Sequence, residues 1–192
     1  MAKTPVTNAE YKRFLDANPN YDVPFVDEDW AKPYNWNKQQ RTYPTGKADH
    51  PVVLVSWHDA KTFVSWADME LPTEEQWEKA GRGTHGRKYP WGNYWGENHC
   101  NTRESGIGET TPVGQFSPQG DSIYGCMEMS GNVWEWIDSL HARVEDNCVL
   151  RGGSWVSYQH KARLTSRLYF LPNDRSGNIG FRVVARRSAF QQ

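Results

Sequence analysis

Apolar residues fall into a helical rhythm at three places along the chain, and the same polar signature introduces each one. Tyr11, Phe14 and Leu15 share a face after Thr7-Asn-Ala-Glu10; Ala60, Phe63, Val64 and Ala67 share one after Ser56-Trp-His-Asp59. Trp77 and Ala80 follow Thr73-Glu-Glu-Gln76, itself just after Pro72. A Ser or Thr hydroxyl caps the first turn, and an acid or amide three residues on answers it; that capping box starts a helix. The spacing predicts helices from Thr7 to about Asn18, from Ser56 to about Met69, and a short one from Thr73 closed by Gly81 and Gly83.

Strand patterns are shorter. Val52-Val-Leu-Val55, Asn132-Val-Trp-Glu-Trp-Ile137, Cys148-Val-Leu-Arg151 and Ile179 to Ala185 are the candidates, the last alternating Ile179, Phe181 and Val183 with Gly180, Arg182 and Val184. Pro19 to His50 is polar, aromatic and without period, an ordered loop anchored by Trp30, Tyr34 and Trp36. From Tyr89 to Gly131 the pattern is turns and brief extended pieces. No repeat or domain boundary interrupts residues 1–192, so the expectation is one α+β domain with much irregular backbone.

One stretch resists this scheme. Val156 to Gly177 has neither helical nor strand period and is punctuated by Pro172, Asn173, Asp174 and Gly177. It nevertheless holds Leu168-Tyr169-Phe170-Leu171. Four consecutive large apolar residues on extended backbone cannot all face one way, so some should be exposed. Either the stretch packs on the core, or it is a binding surface.

Composition narrows the function classes. The chain has 192 residues, enough for one well-buried core and few for two. Its formal charge is −1 with Lys and Arg scattered, which leaves no electrostatic footprint for nucleic acid. Ten Trp, nine Tyr and seven Phe stand in a chain of mean hydropathy −0.84, so large flat side chains must supply most of the buried area. No run approaches a membrane span or a signal peptide, and the default compartment is cytoplasmic. Cys100, Cys126 and Cys148 are an odd set with no Cys-x-x-Cys spacing, read as buried free thiols.

Eight motifs then occur in a familiar order: Pro5-Val-Thr-Asn-Ala-Glu-Tyr11, Pro51-Val-Val-Leu-Val-Ser-Trp57, Leu71-Pro-Thr-Glu-Glu-Gln-Trp-Glu-Lys-Ala80, Pro90-Trp-Gly92, Thr111-Pro-Val-Gly114, Gly131-Asn-Val-Trp-Glu-Trp136, Leu150-Arg-Gly-Gly-Ser-Trp155 and Ile179-Gly-Phe-Arg182. Together they resemble the formylglycine-generating enzyme, or sulfatase-modifying factor, family over nearly the whole chain. The resemblance implies a C-type-lectin-like fold: a small twisted antiparallel sheet, about three helices and long aromatic-anchored loops. Family members usually carry a further strand and a glycine-rich segment ahead of the first motif, so the chain reads as a shortened member or a fragment.

The resemblance also implies a chemistry: oxidation of a client cysteine by copper held on two cysteines after Arg-Gly-Gly-Ser. Thiolates are the soft ligands that hold Cu(I). Here the segment after Arg151-Gly-Gly-Ser154 is Trp155-Val-Ser-Tyr-Gln-His-Lys-Ala162, without a cysteine. The histidines His50, His58, His85, His99, His141 and His160 show no ligand spacing, and the iron-dependent sulfoxide synthases of the family take ligands from a domain not present here. The expectation is a domain that is not an enzyme and requires no cofactor.

A structural calcium near the Gly-Asn-Val-Trp-Glu-Trp turn, held by backbone carbonyls and a carboxylate, is a further implication, with Ser130, Gly131, Val133 and Glu135 as its ligands; equally, Glu135 pairs with a framework arginine such as Arg151 or Arg182. In the C-terminal stretch, the resemblance extends to the variable proteins of diversity-generating retroelements, where mutated Asn codons become anything except Gln, Glu, Lys, Met or Trp. None of those five occurs from Leu164 to Asn178. This reading makes Val156, Ser157, Tyr158, His160, Leu164, Thr165, Leu168, Tyr169, Phe170, Leu171, Ser176 and Gly177 the ligand surface. Arg163, Arg167 and Arg175 brace the loop, and the partner is a protein or peptide. The competing expectation is a family enzyme or accessory domain with an unidentified reaction.

Overall fold

In the computed structural model, which describes residues 1–140 and 147–186, the three capped segments are helices: α1 (Asn8–Ala17), α2 (Trp57–Trp66) and α3 (Glu74–Arg82). Both halves of the capping box form at each start, with Thr7 answered by Glu10, Ser56 by Asp59 and Thr73 by Gln76. α2 ends three residues short of Met69, and Asp68 just beyond it adopts a left-handed φ of +53°. Gly83 caps α3 as expected, but Gly81 does not close the helix. It lies within α3, and a Cβ there would stand 2.5 Å from the Leu164 Cδ2 methyl.

Six strands follow: β1 (Met69–Glu70), β2 (Trp134–Leu140), β3 (Cys148–Arg151), β4 (Arg167–Phe170), β5 (Ile179–Phe181) and β6 (Val184–Ala185). The main sheet has the order β4-β3-β2-β5, and β1 pairs with β6 in a second, two-stranded sheet. β3 is antiparallel to both neighbours, but β5 runs parallel to β2, so the sheet is mixed and not the antiparallel one expected. β4 and β5 point the same way at opposite edges, which obliges the chain to cross over between them.

Two strand expectations need correction. Val52 to Val55 is no strand: Leu54 has a left-handed φ of +58°, and the segment is instead a buried path between Val6 and Ser176, each of which it meets through one backbone bond. Ile179 to Ala185 is two strands, β5 and β6, because Arg182 between them turns its guanidinium into the interior.

Aromatic rings fill the core, as the composition demanded. Tyr11 stacks on Phe63 at 5.6 Å and meets Phe14, Trp36 and Phe181 edge-on. This cluster lies on one side of the main sheet, with Trp136, Cys148 and Leu150; on the other, Trp77, Ala80, Val149 and Leu164 form a smaller one beneath α3. Between them Arg182 forks onto Glu135, with Nε to Oε2 at 2.6 Å and Nη2 to Oε1 at 2.7 Å, both residues fully buried. The Trp77 indole donates to the same carboxylate at 2.7 Å, and the remaining guanidinium hydrogens reach the carbonyls of Ala2, Lys3 and Met127. A buried ion pair survives only when its hydrogen bonds are completed in this way.

Candidate functional site

The stretch from Trp155 to Gly177 divides into a turn and a strand. Gly152 and Gly153 bring the chain out of β3 with φ of +101° and +78°, and a Cβ on Gly153 would lie 2.9 Å from Ala162 Cα. Only glycine permits that approach. Beyond it the turn is hung from the interior: the Trp155 amide donates to the Asn132 carbonyl, the Ser130 hydroxyl to Ala162 at 2.6 Å, and the Leu164 amide to Lys88. Ser157 folds inward, its hydroxyl 3.1 Å from that of Ser154.

A facing wall completes the surface. The Arg103 amide donates to the Ser157 carbonyl at 3.0 Å, and its guanidinium lies 4.9 Å over the Tyr158 ring. Tyr158 in turn stacks beside His160 at 6.2 Å. Glu104 accepts from the Gln159 amide at 2.8 Å. Burial pushes the Glu104 carboxyl up, but hydrogen bonds led by that one outweigh it and hold the group below the usual carboxylate range. Arg103, Gly106, Gly108, Trp155 and Val156 enclose a cleft of about 240 Å³.

Three of the twelve expected ligand residues, Val156, Tyr158 and His160, come together here, with Val156 42% and Tyr158 50% exposed. Ser157, Leu164 and Gly177 are buried and lie beneath the surface, not on it; Leu164 fills the space over Gly81. Leu168 and Phe170 are half-buried in β4 and pack against the larger cluster, while Tyr169 and Leu171 are exposed at that edge of the sheet. Thr165 is exposed and Ser176 half-buried, its hydroxyl donating to Asn178. Expecting an unperiodic loop missed β4, whose alternation is hidden because both its faces carry apolar groups.

The bracing arginines also divide. Arg175 pairs with buried Asp59 at 2.7 Å and donates to the Leu54 carbonyl, and Arg167 pairs with Glu74. Arg163 is exposed, and its side chain makes no bond among the described residues. Arg151 is a framework arginine, but its partners are not Glu135: fully buried, it reaches Glu74, Glu78 and the Leu164 carbonyl, tying β3, α3 and the turn together. The wall from Arg103 to Gly108 also went unread, although its Gly-Ile-Gly spacing marked a turn with an exposed apolar tip.

The implied metal groups can be set against these residues. Both Glu135 oxygens are engaged by Arg182 and Trp77, so the carboxylate expected to hold a calcium is already committed. The nearby Glu128 Oε2 has no hydrogen-bond partner among the described residues, and burial pushes that carboxyl up to about 7. The copper chemistry needs accessible thiolates. Cys100, Cys126 and Cys148 are all buried, and burial pushes Cys100 up to about 12 and Cys148 to about 11. Of the histidines, His50 is buried against the Thr110 hydroxyl, and His141 lies outside the described residues.

The family profile for the sulfatase-modifying factor enzyme 1-like domain matches residues 1–187. The chain belongs to that family. The inactive C-alpha-formylglycine-generating enzyme 2 of Bos taurus is 42% identical over 156 residues, covering 72% of this chain and 51% of the relative. The formylglycine-generating enzyme of Streptomyces coelicolor is 36% identical over 184 residues, covering 78% and 58% respectively. The chain therefore spans little more than half the length of either. Among solved structures, PvdO from Pseudomonas aeruginosa superimposes with a TM-score of 0.75 at 25% identity, over 93% of this chain and 77% of that one. Treponema denticola variable protein 1 shares the fold, with a TM-score of 0.69 at 20% identity over 94% and 82%. In this sulfatase-modifying-factor-like domain, the α+β, C-type-lectin-like architecture read from the motifs is the one the structure has.

Proposed function

We propose that this domain is a non-catalytic member of its family that binds a protein or peptide on the surface formed by Val156, Tyr158 and His160 with Arg103 and the Gly106–Gly108 wall. One observation carries the reading: the turn that follows Arg151-Gly-Gly-Ser154 displays aromatic and aliphatic side chains and no thiol, while every cysteine is buried elsewhere and burial raises the Cys100 and Cys148 thiols. A rigid Tyr under a guanidinium, beside a small apolar cleft, offers contact area at little entropic cost. The name of the bovine relative, an inactive enzyme, supports the same view; the active Streptomyces relative is the reason to test it.

Incubation with Cu(I) and a cysteine-containing sulfatase peptide should yield no formylglycine by mass spectrometry; its formation would return the chain to the enzymes. Peptides selected against the parent from a display library should lose about tenfold or more in affinity when Tyr158 and Val156 are both changed to Asn. Undiminished binding would place the ligand surface elsewhere.

A narrower reading is retroelement diversification, which the absence of Gln, Glu, Lys, Met and Trp from Leu164 to Asn178 supports. On this fold it would act through the exposed Thr165, Tyr169 and Leu171 and leave Leu164 constrained. A near-copy of this coding region in the flanking DNA, differing at adenines beside a reverse-transcriptase gene, is the expected finding; without it the reading fails.

A further inference from the structure

We propose that the cavity between the Asn37–Thr42 turn and Arg175 binds a small organic oxyanion, a carboxylate or a phosphate ester. The cavity is about 450 Å³ and is lined by Asp22, Val23, Phe25, Lys38, Arg41 and Arg175. Its cations are fixed in place. Lys38 Nζ sits 3.6 Å from the centroid of Phe25. Arg41 donates to the carbonyls of Tyr21, Leu15 and Asn18 at 2.9, 3.1 and 3.3 Å. Arg175 is held by Asp59, which Ser56 and Tyr21 hold in turn.

Charge is left over. Asp59 neutralises Arg175, but Arg41 meets only backbone carbonyls and Lys38 only a ring, and neither forms an ion pair among the described residues. Asp22 is the one carboxylate on the wall, so positive charge remains in excess after it is counted. Arg41 also holds a left-handed φ of +53°, a costly conformation for a branched-off side chain, kept by the Asn37–Thr42 bridge around it. Guanidinium and ammonium groups lining one cavity are what an oxyanion needs. The cavity exceeds a bare ion, and Val23 and Phe25 supply an apolar wall for the ligand's body.

Titration calorimetry with phenyl phosphate and with benzoate, at fixed ionic strength, separates the two oxyanions. At least one should bind saturably, and Lys38→Glu, at an exposed position, should weaken it about tenfold or more. Lys79→Glu makes the same charge change on α3 and should leave binding unaltered. Asp22→Asn should tighten it, a gain that misfolding cannot imitate. Equal affinity in the parent and Lys38→Glu, or no heat from either anion beyond that of sodium chloride, overturns the proposal. The cavity is separate from the Tyr158 surface, so neither outcome bears on the peptide-binding reading.

Discussion

The turn from Trp155 to Ala162 and the strand from Arg167 to Phe170 are a few residues apart, comparably aromatic and comparably exposed, yet they are held in different ways. The turn hangs from fixed points outside itself: Asn132, Ser130, Arg103 and Glu104 grip its backbone, and its outward side chains contribute little to that grip. The strand is held by its ladder to β3 and by Leu168 and Phe170 pressed on the core. A backbone gripped by other segments frees its side chains for recognition; a strand that packs by its own side chains does not. Exposure alone would have ranked Tyr158 and Tyr169 together.

Substitutions should pull the two regions apart. Leu164→Ala, at the base of the turn, should cost about 2–5 kcal/mol in urea unfolding, since its methyls fill the space over Gly81 and a cavity would remain. Phe170→Asn should cost about 2 kcal/mol, losing apolar burial from one face of β4. A cost near zero would mean that β4 is as tolerant as the turn.

Glu104→Gln tests the turn's charged grip. The folded carboxyl lies below its ordinary value of 4.5, so its stabilisation is complete above that pH and is lost as pH falls through the lowered folded value. The group is exposed and screened, so the loss should be about 1 kcal/mol or less, seen as faster exchange of the Gln159 amide at neutral pH. The parent should approach the variant in acid. Smallest of all, Tyr158→Asn should shift stability by no more than about 0.5 kcal/mol while still weakening peptide binding. A large loss of melting temperature there would make Tyr158 a packing residue and dissolve the contrast.

What could be read from the sequence follows how local the physics is. The three capping boxes specify α1, α2 and α3 within four residues each, and the structure makes both bonds in all three. The strand at Cys148–Arg151 was legible because its apolar run is short and bounded. β4 was not, because its partner is β3 and its exposed face carries Tyr169 opposite the half-buried Leu168 and Phe170, so no clean polar alternation marks it. Val52–Val55 misled for the converse reason: it has strand composition, but the sign of φ at Leu54 is set by tertiary contacts. The choice for Glu135 between calcium and arginine needed Arg182 in place, 47 residues away in sequence.

The meeting of Gly81 and Leu164 has a consequence for how this surface can change. The absent Cβ on α3 is the socket into which the base of the turn plugs. A Cβ at Gly81 would meet the end of the Leu164 side chain and force it to repack. The helix position and the loop position are thus tied by contact: Val156, Tyr158 and His160 stand clear of it, whereas a change of size at residue 81 has to be met at residue 164.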